Sequence, residues 1–109
     1  RRQAWILREK GSGTRAAFEA HLAQMGLAVA DLDVALEIPS NEAVLGAVAA
    51  GACVSMVSSR VAGSVRGICR RPVAWRAPPV RDFAVLVHPE RHRTRAIEAM
   101  LAIVDPAGA

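Results

Sequence analysis

Twice in its first half the chain spells the same local pattern: an apolar strand, a turn of glycine, hydroxyl or amide residues, then a helix. Trp5-Ile6-Leu7-Arg8-Glu9 runs into Lys10-Gly11-Ser12-Gly13-Thr14-Arg15 and a helical stretch that ends at Gly26-Leu27. Residues 33–38 run into Pro39-Ser40-Asn41-Glu42 and a second helical stretch that ends at Gly51. Parallel strands with helical crossovers are the arrangement this alternation calls for. Helix N-termini at the ends of neighbouring strands present unpaired N–H groups and partial positive charge, a setting that favours an anion.

Local signals fix the expected elements. Residues 4–9 read as the first strand. The first helix is expected over 14–25, with Ala17, Phe18, Leu22 and Met25 on one face and Ser12 or Thr14 as its cap. Gly26 is placed to end it in the left-handed region. Residues 33–38 alternate and end apolar at Ile38, which reads as a strand entering a core. Ser40 or Asn41 caps the next helix, and Glu42 suits its first turn. Cys53-Val54-Ser55-Met56-Val57 reads as a third strand, followed by Ser58-Ser59. The first half is therefore α/β, in the order β-α-β-α-β with a mostly parallel sheet flanked by helices.

The second half is less regular. Residues 60–65 suit one or two helical turns. Residues 68–75 look extended and Arg-rich, and Pro72, Pro78 and Pro79 mark a linking segment. Residues 82–88 (Asp-Phe-Ala-Val-Leu-Val-His) read as a strong strand. Residues 93–104 read as a C-terminal helix with Ala96, Ile97, Met100, Leu101 and Val104 on one face. A tail, 106–109, is expected to be mobile.

Composition narrows the function. The chain has 109 residues, 52% hydrophobic and 4% aromatic, so one globular domain must build its core from Val, Ala, Leu and Ile. No apolar run approaches the roughly 18 residues of a membrane span. The start, Arg1-Arg2-Gln3, carries neither Met nor a signal-peptide pattern, which reads as the start of an excised piece. Cys53 and Cys69 have neither metal-site nor disulfide spacing. Cys53 reads as a small buried residue, and the cysteine usage fits a cytoplasmic protein.

The net charge of +4 is lopsided: residues 1–53 carry five basic and six acidic side chains, and residues 54–109 carry nine Arg and four acids. This excess reads as a solvated surface. The segment lacks the interleaved aromatics and reading helix of a nucleic-acid interface.

The order Arg-Glu-x-Gly-Ser-Gly-Thr-Arg (8–15), Ser-Asn-Glu-Ala-Val (40–44), Val-Ala-Ala-Gly (48–51) resembles the effector-binding domain of LysR-type transcriptional regulators. The likeness begins partway into that domain and runs to its end. It implies a periplasmic-binding-protein-like fold, two α/β lobes with a small ligand between them. Residues 4–77 resemble the second lobe, and residues 78–105 resemble a crossing strand and final helix that return to the first lobe. The family's DNA-binding domain is absent from this chain, so DNA contact is expected only through an N-terminal domain outside it. Two departures stand out. Gly51-Ala52-Cys53-Val54 replaces the usual Gly-Leu-Gly-Ile, and Val57-Ser58 replaces a strand ending in proline, leaving a hydroxyl near the cleft.

The resemblance implies a ligand-sensing regulatory role, with Gly11, Ser12, Gly13, Thr14, Arg15, Ser40, Asn41 and Ser58 as effector contacts and a small anionic metabolite as partner. It implies no cofactor. The same residues read locally can instead cap their own helices, and Arg15 can either neutralise an anion or face solvent. A small-molecule carrier of the periplasmic-binding class is the alternative reading. An enzyme is not expected. The loop lacks the Gly-Lys-Ser/Thr ending of a P-loop and the third glycine of a dinucleotide fingerprint, and no Ser, His and acid fall in a catalytic arrangement. His88 and His92 flank Pro89 and read as a surface turn rather than a metal site. The strand at 82–88 and the final helix would expose apolar faces in a monomer, which leads us to expect a homo-oligomer.

Overall fold

The structure is a computed structural model and describes residues 3–51, 53–73 and 79–105. Strand β1 (Ala4–Arg8) leads into helix α1 (Gly13–Gln24), and a short 3-10 turn (Val29–Asp31) leads into β2 (Asp33–Ile38). Then come α2 (Asn41–Ala50), the single turn α3 (Ser59–Ala62) and α4 (Arg95–Val104).

Strands β1 and β2 pair in parallel from Ala4↔Asp33 to Arg8↔Ile38. Trp5 faces Val34 and Ile6 faces Leu36, so Ala35 is an extra residue bulged out of β2. Side chains alternate along β1. On one face Leu7 joins Phe18 and Leu22 of α1, with Trp5, Val29, Leu32 and Met56 around them. The Trp5 and Phe18 rings stack with centroids 5.0 Å apart. Ile6 points to the opposite face, where α2 lies against both strands and buries Val44 and Leu45.

The caps follow the sequence closely. The Ser12 hydroxyl accepts the Arg15 N–H at the start of α1. At its end Gly26 takes φ +72°, the Leu27 N–H donates to the Leu22 carbonyl, and the Gly26 N–H donates to Ala23. This is a Schellman motif, and it satisfies carbonyls that the helix leaves open. The Ser40, Ser58 and Thr94 hydroxyls cap α2, α3 and α4 in the same way.

Several expectations are corrected. The third strand expected over 53–57 is reduced to a single parallel bridge, Trp5↔Val54. Its two hydrogen bonds run from the Ile6 N–H to the Val54 carbonyl and from the Val54 N–H to the Ala4 carbonyl. Residues 82–88 form no strand among the described residues. The stretch has the composition of a strand but no neighbouring ladder to pair with, and Phe83 and Leu86 are 92% and 93% exposed. β2 is an edge strand rather than a core one: among the described residues only β1 pairs with it, and Val34 and Leu36 remain exposed. Helix α4 begins at Arg95, two residues late, because Thr94 is its cap. Its apolar face, including Met100 and Ile103, is open to solvent. Cys53 is half-buried and Met25 is exposed, not core. The lobe boundary at 77/78, Trp75, Pro78 and the tail 106–109 lie outside the described residues.

Candidate functional site

Two strand-to-helix corners share one rim of the sheet. Arg8 and Ile38, the last residues of β1 and β2, are register partners in a parallel pair. Both chains therefore leave the sheet at the same end, and α1 and α2 start just beyond it. Ser12 lies four residues past Arg8 and Ser40 two past Ile38. Val54 bridges Trp5 in the parallel sense, and Ser58 follows four residues later.

The first corner is built by a tight turn. The Ser12 N–H donates to the Glu9 carbonyl at 3.2 Å, and Gly11 takes φ +92°, a conformation L side chains rarely adopt. Ser12 is buried at the cap. Gly13 begins the helix, and the half-buried Thr14 hydroxyl has no hydrogen-bond partner among the described residues. At the second corner the Ser40 hydroxyl accepts the Ala43 N–H and donates to the Glu42 carboxylate at 2.9 Å. Ser58 caps α3 by accepting the Arg60 N–H.

Arg15 does not face solvent. It is 4% exposed, and its guanidinium turns inward. Nη1 donates to the Arg8 carbonyl at 2.8 Å and to Glu37 Oε2 at 3.0 Å, and Nε donates to Glu19 Oε1 at 2.6 Å. Burial opposes its charge, and the hydrogen bonds to Glu19 and Glu37 outweigh burial and raise its pKa. The group ties α1 to both strands from behind the corner.

Two residues that sequence reasoning missed belong to this rim. Arg8 grips both Glu9 oxygens, at 2.8 and 3.1 Å, and its Nη1 donates to Asn41 Oδ1 at the start of α2. The hydrogen bond to Glu9 raises the Arg8 pKa and lowers that of Glu9. Arg81 approaches α1 so closely that a Cβ on Gly13 would lie 3.0 Å from its Nη1, and its guanidinium also sits 5.7 Å from the Phe83 ring centre. Arg8 stood inside the recognised motif, but nothing local revealed a partner 33 residues away. Arg81 carried no signal beyond its place in the Arg-rich half.

A hollow of about 380 Å³ lined by Glu19, Ala23, Leu27, Ala28, Val29 and Ala30 lies along the later part of α1, apart from the two corners. Among the described residues no group of three or more His, Cys, Asp or Glu could hold a metal ion, and no helix is long and apolar enough to cross a membrane. The His88 Nδ1 accepts the Glu90 N–H in a turn.

An uncharacterized HTH-type transcriptional regulator of Methanocaldococcus jannaschii is 44% identical over 57 residues, which cover 52% of this chain and 19% of that protein. The matched stretch thus spans about a fifth of the relative's length. No solved structure matches the chain. Residues 1–108 match the family described as the LysR substrate binding domain, and the chain belongs to that family.

Proposed function

We propose that this chain senses a small anionic metabolite within a LysR-type transcriptional regulator, not as an enzyme. Family membership and the regulator relative support the regulatory role. The observation that carries the anionic effector is the shared rim, where Arg8 and Ile38 stand level and two helix N-termini begin beyond them. Gly11, Ser12, Gly13, Thr14, Ser40 and Asn41 form one wall of the effector hollow, and Ser58 adds a hydroxyl beside it. Arg15 supports this wall through the Arg8 carbonyl. Residues 4–77 make up the second lobe, and residues 78–105 return to the first. Effector binding shifts the lobes' relative orientation, and an assembly of like chains passes the change to DNA-binding domains outside this chain, in the cytoplasm.

Thermal shift on the full-length protein tests this reading with acetate, succinate, sulfate and phosphate as probes. A ligand that binds only the folded state adds about 2.7 kcal/mol at a hundred times its Kd. At least one anion is expected to raise the melting temperature, and Ser12→Ala with Thr14→Ala is expected to weaken that rise. If no anion stabilises the protein and the double variant regulates normally, the reading is wrong.

A further inference from the structure

We infer that Arg8 is the positioning residue of this rim, the group that makes the two corners move as one body. The inference rests on the sensing reading for its purpose, but on hydrogen bonds for its content. Arg8 ends β1 and faces both helices through different parts of itself. Its carbonyl oxygen accepts from Arg15 in the first turn of α1 at 2.8 Å. Its guanidinium donates to Asn41 Oδ1, the first residue of α2. Glu9 holds the rest of that guanidinium in a two-pronged grip at 2.8 and 3.1 Å, and Glu42 adds attraction from α2. The side chain is only 15% exposed, so its planar fork has little room to choose another geometry.

One residue therefore fixes the start of α1 against the end of β1, and the start of α2 against the same point. A ligand that pulls on one helix N-terminus moves the other through Arg8. Lysine cannot replace it, since one ammonium lacks a fork that meets Glu9 and Asn41 together. Asn41 takes the role of acceptor. It touches the rim through its oxygen, and the isosteric Asn41→Asp keeps that oxygen and adds charge attraction to Arg8.

Hydrogen exchange of the full-length protein, read by mass spectrometry, tests the link. Arg8→Met, Arg8→Lys and Asn41→Ala cut the guanidinium arm but leave the Arg8 carbonyl on Arg15, so each is expected to raise exchange at least fivefold in the first turn of α2 and, through the loosened end of β1, at least twofold in that of α1. The C-terminal halves of those helices should change little. The double variant Arg8→Met with Asn41→Ala should exchange no faster than the worse single variant, and Asn41→Asp should exchange like the parent. A rise confined to α2, an equal rise along both helices, or additive singles would overturn the inference, because each marks a residue that merely stabilises. Thermal shift with acetate, succinate, sulfate and phosphate is run on the parent protein alongside. If none binds and the Ser12→Ala with Thr14→Ala variant regulates normally while the exchange pattern holds, the sensing reading falls and the link stands. If an anion binds but Arg8→Met leaves both first turns protected, the link falls alone.

Discussion

Arg15 reaches from the first turn of α1 to Glu37 on β2, with Nη1 3.0 Å from Oε2. The same nitrogen donates to the Arg8 carbonyl, so one buried side chain ties a helix to two strands. Removing it strands a backbone carbonyl and opens a gap beneath the corner. Arg15→Met is expected to cost about 2 kcal/mol, the scale of leaving a buried polar partner unmet. Glu19→Gln, at the exposed end of the network, should cost under about 0.5 kcal/mol. Urea denaturation of both variants checks the contrast, and equal costs would refute it.

The two glycines that end α1 and α2 should respond differently to a methyl group. Gly26 sits at φ +72°, where an L side chain is strained, and Gly26→Ala is expected to cost roughly 1–2 kcal/mol. Gly51 is extended at φ −137°, and a Cβ there would meet the Ala47 carbonyl at an ordinary 3.5 Å. Gly51→Ala should be close to neutral. Thermal melts of the pair report the difference directly.

Two carboxylates at the rim titrate below their ordinary range. Arg8 holds Glu9 down through a hydrogen bond, aided by Glu9's own backbone N–H. Glu42 is lowered first by its own backbone N–H and then by the Ser40 hydroxyl. A carboxylate whose folded pKa lies below its unfolded value adds stability above the unfolded pKa and loses it as pH falls through the folded one. Stability should therefore decline on acidification through and below the ordinary carboxylate range. Glu9→Gln should flatten that decline, as measured by denaturant midpoints across the series. A steeper decline in the variant would contradict the assignment.

Apolar side chains at 82–88 and along α4 lie open, with Leu86 93% and Ile103 78% exposed. Surfaces of this kind mark contacts with other chains or with further protein. Ile103→Asp in the full-length protein is expected to lower the sedimentation coefficient of the assembly at a given concentration. Unchanged sedimentation together with an unchanged melting temperature would mean that no partner covers this face.

Local chemistry made the corners legible. Ser12, Gly26 and Ser40 act on backbone within a few residues of themselves, so their roles could be read from neighbours in sequence. The third strand could not be read to its true extent, because Val54 pairs with β1 only where the fold brings them together, and among the described residues no further bridge extends it. Residues 82–88 have every local mark of a strand and, among the described residues, no ladder to join. Arg15 was legible as a charge near the rim but not in direction, since Glu37 faces it only once β2 lies beside β1. Arg8 was hidden for the same reason: its amide partner belongs to the other corner.

The bulge at Ala35 has a geometric consequence for the rim. From Trp5 to Arg8, β1 takes three steps, while β2 takes four between the matching partners Val34 and Ile38. Each strand residue advances about 3.3 Å. Deleting Ala35 would leave five residues facing five, with Ile38 still opposite Arg8 and the second helix still starting level with the first. The evenness of the ledge is thus a matter of counting: a regular segment one residue shorter holds it, and one of the present length holds it only by bulging.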